Sequence, residues 1–181
     1  MAGTRSGIAA SYGLRPRENG VVKTEDIDQL RRQLVEMLDA RGAHMPFEPA
    51  VADFPAGALN QVVPNGIYTP WHLLEHIRIA QRDILDFCRD PKYVEPRSMA
   101  EYWPASAAPP GPEGWDESVA AFRADREAIR KIAREGDLFS AVPRGTGQTF
   151  LREVVLVADH NAYTLGQLVV LRRLLGIWPR G

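Results

Sequence analysis

Four long segments of this sequence repeat their apolar residues at helical spacing, and this repetition limits the possible folds most. In the first segment Ile27, Leu30, Leu34 and Leu38 recur three or four residues apart, as on one face of an amphipathic helix. The three other segments span residues 69–90, 115–137 and 150–175. No stretch shows the period-two alternation typical of a half-buried strand. The sequence therefore predicts an all-α protein, built as a four-helix bundle.

Capping residues mark the expected ends of these helices. Thr24, Thr69 and Thr149 are predicted N-caps, because a threonine hydroxyl can accept a hydrogen bond from a free backbone N–H of the first turn. Pro70 follows Thr69 at the first helical position, where its missing N–H costs nothing. The predicted stops are Gly42, Pro91, Gly136 and Gly176.

The connections between the helices are long, which allows crossovers in place of tight turns. The first runs from residue 43 to 69 and has room for a short helix near residues 47–54; the second, residues 91–114, is rich in proline and aromatic residues. Connections of this length often line a functional site. The 181 residues fit one domain. We expect residues 1–20 to form a flexible tail and residues 21–181 to form a single bundle domain with long crossover connections.

Charge and cysteine content narrow the classes of function. The formal net charge is -1, so no basic surplus favours nucleic acid or an anionic membrane. Gln167, Arg172 and Arg173 interrupt the longest apolar run, which falls short of the roughly 20 residues of a membrane span. The N-terminus lacks the continuous apolar stretch of a secretory signal. The single cysteine, Cys88, predicts a buried, inert thiol and a cytoplasmic location.

Two of the predicted helices carry polar side chains along one face. In segment 69–90 these residues are His72, His76 and Asp83. In segment 150–175 they are Glu153, His160, Tyr163, Thr164 and Gln167. Histidine is the commonest metal ligand, and two imidazoles four residues apart can reach one ion. Two polar stripes that face each other predict a polar pocket inside the bundle.

The segments PWHLLEHIRIAQRDILDFC and ADHNAYTLGQLVVLRRLLGIW resemble the second and fourth helices of the DinB-like (DinB/YfiT-like) metalloenzyme family. The likeness extends through AHMPFEPAVADFP and EYWP, and it covers roughly residues 24–179. The resemblance implies a four-helix bundle, often dimeric, that binds nickel or zinc through three histidines. Some members of the family transfer low-molecular-weight thiols or isomerise thiol adducts.

Residue by residue, the resemblance implies that His76 is the metal ligand from the second helix and His160 the first ligand from the fourth. The position of the third ligand holds Thr164. Threonine is a poor ligand, so we expect the metal site to be weak or lost. The side chains that could complete the site are those of His44, His72 and Asp159.

Other polar residues near these positions have two interpretations each. As pocket residues, or as groups that orient the imidazoles, we consider Glu75, Asp159, Asn161, Tyr163 and Gln167. Glu75 and Glu153 could act as a base or a ligand, and structural ion pairs are the alternative. A pair with Arg78 or Arg82 is the alternative for Asp159 and Asn161, and core packing with a polar tip is the alternative for Tyr163 and Gln167. The alternative for His72 is a position near the surface at the start of its helix.

Two functions remain open on this basis. The first is a metal-dependent enzyme of the thiol-transferase or hydrolase type, with unidentified catalytic residues and a small-molecule thiol or other ligand as its partner. The second is a non-catalytic dimeric bundle that binds a small molecule or acts in stress. DNA binding would follow only from the damage-inducible label of the family's namesake, and the charge balance does not support it. The apolar residues on several sides of the last helix predict a homodimer: Leu151, Val155, Ala162, Leu165 and Val169.

Overall fold

The computed structural model describes residues 23–179, which form an all-α protein. The helices are α1 (Thr24–Leu38), α2 (Phe47–Val51), α3 (Pro70–Arg89), α4 (Gly114–Glu135) and α5 (Phe150–Leu174). Two 3-10 helices, Ala56–Ala58 and Met99–Tyr102, lie in the long connections. Within the described range the only β-type pairing is an isolated bridge between Ala141 and Thr149. The all-α prediction is confirmed, whereas the tail predicted at residues 1–20 lies outside the described residues.

The four long helices pack against one another around two apolar clusters. Helix α3 contacts α4 and α5, and α1 contacts the same two helices. The first cluster joins the beginning of α3 to the end of α5, through Leu74 and Leu168. The second joins the end of α3 to the beginning of α5, through Leu85 and Val157. Helices α3 and α5 therefore run antiparallel, and their middle turns lie between the two clusters.

Two of the three predicted N-caps are confirmed. The Oγ1 atom of Thr69 accepts a hydrogen bond from the N–H of His72 at 3.1 Å, and Oγ1 of Thr149 accepts one from the N–H of Arg152 at 3.3 Å. The predicted cap at Thr24 is wrong. Thr24 lies inside the first turn of α1, and Lys23 occupies the cap position without a side-chain cap bond.

Helix α1 ends four residues earlier than Gly42, its predicted stop. The chain turns at Ala40, whose φ of 57 degrees lies in the left-handed region. The N–H groups of Ala40 and Arg41 bond to the carbonyls of Met37 and Glu36, both at 3.0 Å. Together with the bond from the N–H of Asp39 to the carbonyl of Val35, they satisfy three of the last four carbonyls of the helix, so the helix closes before the glycine is reached.

Helix α5 is the most apolar helix, and by length and composition alone it could cross a membrane. Within its most apolar window 44% of the residues are buried inside the protein, and the helix contacts α1, α2, α3 and α4. A core helix of a soluble protein meets the same criteria of length and composition. In this structure the apolar surface of α5 therefore serves in part to build the core.

Candidate functional site

A layer of polar side chains separates the two apolar clusters where α3 faces α5. Gln81 of α3 is fully buried, and its side-chain amide donates to the carbonyl of Phe122 in α4 at 2.8 Å. Its side-chain oxygen accepts a hydrogen bond from the amide of Asn161 in α5 at 2.9 Å. An unpaired polar group is costly inside a protein, so these two hydrogen bonds fix the relative positions of α3, α4 and α5 in this layer. His76 and His160 belong to the same layer.

The imidazole of His76 is held by the connection between α3 and α4. Its Nδ1 lies 2.8 Å from the carbonyl oxygen of Tyr102. A carbonyl oxygen can only accept, so Nδ1 carries the proton and Nε2 presents a lone pair. Trp103 stacks on the imidazole with ring centroids 3.9 Å apart, and Tyr68 stacks on the other side of Trp103 at 4.2 Å. The ring of His76 is therefore fixed in both position and tautomer.

The imidazole of His160 points at that lone pair. Its Nε2 lies 3.1 Å from Nε2 of His76, and the two ring planes meet at 64 degrees. Burial lowers the pKa of both histidines below the ordinary value, and the neighbouring His76 lowers the pKa of His160 further. At neutral pH two uncharged imidazoles therefore face each other through the same nitrogen atom.

Two buried atoms beside this pair lack hydrogen-bond partners among the described residues: Nδ1 of His160 and Oδ1 of Asn161. The side chain of Asn161 is close enough to raise the pKa of His160. A proton on Nδ1 of His160 and a small movement of the Asn161 amide would join these atoms and satisfy both. In that tautomer both Nε2 atoms present lone pairs to the same space, where a cation can bind between them. In the other tautomer Nε2–H of His160 donates a hydrogen bond to Nε2 of His76.

No third ligand of the usual type completes the pair. Thr164 lies one helical turn beyond His160 and is 2% exposed. Nδ1 of His72 bonds to the backbone N–H of Thr69 at 3.2 Å, so His72 serves as part of the cap of α3. His44 is exposed and lies 3.1 Å from the carbonyl of Met45. Across residues 23–179, no three histidine, cysteine or acidic side chains form a group that could hold a metal ion.

The remaining predicted pocket residues are dispersed. Glu75 accepts hydrogen bonds from Arg78 at 2.7 Å and from Ser118 at 2.5 Å, so the structural ion pair predicted for it is confirmed. Tyr163 is 74% exposed and points away from the site. Asp159 is also exposed, and it borders a different surface depression, together with His44. Gln167 is half-buried and does not line the cavity at the histidine pair.

The ion-pair alternatives for the other charged residues have mixed outcomes. Glu153 bonds to Arg152 at 2.8 Å, as the structural interpretation expected. The predicted partners of Asp159 are engaged elsewhere: Arg78 binds Glu75, and Arg82 binds Asp86 and Asp125. Cys88 is buried, and burial with the nearby carboxylate of Glu153 raises the pKa of its thiol to about 12. This is the inert thiol that the sequence predicted.

Sequence reasoning missed three residues that hold the site. Gln81 shares its helical face with the buried Leu74, Ile77 and Leu85, so a polar residue within an apolar face was a signal that could have identified it. Tyr102 and Trp103 belong to the proline-rich connection, where no periodicity predicts which side chain will meet α3. Their presence in the segment EYWP was the only indication.

The histidine pair opens onto a small cavity. Its volume is about 240 Å³, and its lining residues are His76, Ala80, Asp83, Ile84, Met99, Tyr102, Leu156 and His160. Asp83 accepts hydrogen bonds from the hydroxyls of Tyr93 at 2.8 Å and Tyr102 at 3.0 Å. These bonds tie the connection between α3 and α4 to α3 itself, which keeps the cavity wall in place.

Comparison with known proteins gives no relative from which a function could be transferred. No family model, no curated protein and no solved structure matches the chain.

Proposed function

We propose that this protein is a DinB-like four-helix bundle with long crossovers whose His76 and His160 bind one divalent metal ion, zinc or nickel. One observation carries the proposal: the Nε2 atoms of these two residues lie 3.1 Å apart and face each other. Two nitrogens bound to one tetrahedral zinc at about 2.0–2.1 Å lie roughly 3.3–3.4 Å apart. A small separation of the rings would therefore admit the ion.

The surroundings of the two imidazoles support the same proposal. A metal-ligating histidine usually donates its other ring N–H to a carbonyl or carboxylate, which fixes the tautomer. His76 has such a partner in the carbonyl of Tyr102. For His160 the corresponding acceptor would be Oδ1 of Asn161, because neither this oxygen nor Nδ1 of His160 has a hydrogen-bond partner among the described residues. The site thus offers two neutral nitrogen ligands with pre-set orientation.

The chain's own residues would divide the work in a reaction of the thiol-transferase or hydrolase type. His76 and His160 hold the ion and stay neutral, because burial lowers the pKa of each imidazole. Trp103 keeps the ring of His76 in place and covers one of its faces. A bound divalent ion supplies Lewis acidity, and it lowers the pKa of a thiol or water bound to it. The cavity beside the pair would accept the small molecule.

The expected affinity for zinc depends on Thr164, and a substitution at this position tests the proposed metal site. With two protein ligands in place of three, we expect weak zinc binding by calorimetry of protein purified without a histidine tag. Thr164→His should tighten the dissociation constant by about tenfold or more, and His76→Gln should abolish binding. His44→Gln is the matched control, because His44 is exposed and does not line this cavity. Absence of zinc binding in the natural protein, with binding in Thr164→His, would show that the site has been given up.

The second proposal is a non-catalytic bundle that binds a small molecule or acts in stress. The lining of the cavity favours small-molecule binding. Ala80, Ile84, Met99 and Leu156 supply an apolar wall next to the imidazoles. Such a wall can bind a small apolar group whether or not an ion is present. A small ligand that binds with the same affinity in the presence of a chelator and in the presence of zinc would support the non-catalytic function over the metal-dependent one.

We also propose that the protein forms a homodimer through α5. Of the residues on which the sequence-based prediction of a dimer rested, Leu165 and Val169 are buried in the core. The outer face of the helix exposes other apolar side chains over about three turns, with Tyr163 at 74%, Val170 at 55% and Leu174 at 66% exposure. These residues are seven and four positions apart, so they share one face. A continuous apolar face of this kind is typical of a protein–protein interface.

A further inference from the structure

A polar cleft continues from the cavity beside the histidine pair. Its volume is about 380 Å³. The cleft and the cavity share four lining residues: Asp83, Ile84, Tyr102 and Leu156. One molecule could therefore place one end in the cleft and its other end next to His76 and His160. The polar groups of the cleft indicate what the first end must carry.

Two guanidinium groups at the far side of the cleft have donors to spare. Arg144 has no carboxylate partner within the described range, and its one hydrogen bond, to the carbonyl of Pro91, is long at 3.4 Å. Arg152 uses only Nη1 to bind Glu153, at 2.8 and 3.1 Å, which leaves its other nitrogens available. Free guanidinium donors that line one cleft are suited to a carboxylate.

Carboxylates on the same cleft limit the charge of the ligand. Glu95 lines it and forms no ion pair with any described residue. Asp83 lies nearby, with its two oxygens bonded to tyrosine hydroxyls. Together with Glu153, these acids outnumber the two arginines, so a dianion such as phosphate would be repelled. A ligand that carries both an ammonium and a carboxylate matches both sets of groups.

We propose that this cleft binds the head group of a small zwitterionic molecule of the α-amino acid type. The carboxylate lies at Arg144 and Arg152, and the ammonium lies towards Glu95. An unbranched side chain then passes the apolar wall at Ile84 and Leu156 and ends near the histidine pair. The head-group site stands by itself; only the reactive role of the side-chain end rests on the proposed metal-dependent function.

Calorimetry with three related probes in chelator tests the head-group site. L-Methionine carries both charges, N-acetyl-L-methionine lacks the ammonium, and L-methionine methyl ester lacks the carboxylate. We expect saturable binding of L-methionine and about tenfold weaker binding of each blocked form. Arg144→Gln should weaken L-methionine binding by about tenfold and leave the ester unaffected. Arg32→Gln, an exposed arginine of α1 outside the cleft, is the control and should change nothing.

The result separates this inference from the metal proposal. Absence of saturable binding, equal binding of all three probes, or unchanged binding in Arg144→Gln would overturn the head-group site. Zinc titration of the same protein is read independently. L-Methionine binding without zinc binding would support the head-group site and count against the metal-dependent function. Zinc binding without L-methionine binding would support the metal-dependent function and overturn the head-group site.

Discussion

His76 and His160 face each other because each is held by a different part of the chain. The carbonyl of Tyr102 and the ring of Trp103 fix His76 from a connection. Helix α5 fixes His160, and its neighbour Asn161 bonds to Gln81 across the interface. A large movement of either ring would break one of these partly buried hydrogen bonds, so the short distance between the two Nε2 atoms depends on the whole polar layer.

The pH dependence of stability follows from the burial of these imidazoles. The folded pKa values of His76 and His160 are lowered by burial, so the unfolded chain binds protons first as the pH falls. In metal-free protein the free energy of unfolding should therefore decrease as the pH drops below about 6.5. His160→Gln should flatten this decrease in urea titrations between pH 7.5 and 5.5. If the free energy of unfolding depends on pH equally in His160→Gln and in the natural protein, the pKa of His160 is not lowered by folding.

Arg172 is a second residue whose role can be tested alone. It is completely buried, and its guanidinium bonds to backbone carbonyls without a carboxylate partner among the described residues. These carbonyls belong to Pro49, Ala50, Ala52, Asp53 and Ile177. Arg172→Met should lower the free energy of unfolding by about 2–4 kcal/mol, because it leaves buried carbonyls unpaired.

The neighbouring arginine provides the control for this substitution. Arg173 is exposed, and its guanidinium lies over the ring of Trp178, 5.1 Å from the ring centroid. Arg173→Met should cost less than about 1 kcal/mol in the same urea titration. If Arg172→Met and Arg173→Met lower the free energy of unfolding equally, the hydrogen bonds from Arg172 to the carbonyls of α2 do not hold α2 against α5.

At the scale of elements, the start of α3 matters most because this helix carries His76. Oγ1 of Thr69 accepts from the backbone of His72 and donates to the carbonyl of Ala107 at 2.9 Å. Thr69→Ala should lower the free energy of unfolding by about 1–2 kcal/mol. Thr69→Ser keeps the hydroxyl and should recover most of the loss. Thr149→Ala removes a longer and simpler cap bond at α5 and should cost less, and an equal cost would contradict the special role of Thr69.

The sequence predicted the long helices well, because their apolar spacing and capping residues are local signals. The polar stripes of two helices predicted a pocket between them, and the family resemblance of these two segments selected His76 and His160 from the stripes. It did not predict how EYWP would pack, because the conformation of a proline-rich connection depends on tertiary contacts. Tyr163 was placed in the pocket, yet it faces outward: α5 is apolar on several sides, so periodicity could not identify which face is buried.

At the scale of the whole molecule, the outer face of α5 determines how copies of the chain would associate. Val170→Glu places a charge in the middle of the proposed interface, where burial without a partner is costly. Sedimentation equilibrium should then show a monomer for this variant and a dimer for the natural protein, with unchanged helical circular dichroism. Arg32→Gln, on the exposed surface of α1, should leave the dimer intact. A monomeric natural protein would rule out the proposed assembly.

Anomalous diffraction from crystals soaked in zinc tests the central claim most directly. We predict one anomalous peak within bonding distance of Nε2 of His76 and Nε2 of His160, with the Asn161 amide turned towards Nδ1 of His160. The peak should disappear in His160→Gln. A map without a peak between the two imidazoles, or with the ion bound only elsewhere, would contradict the metal site on which the proposed function depends.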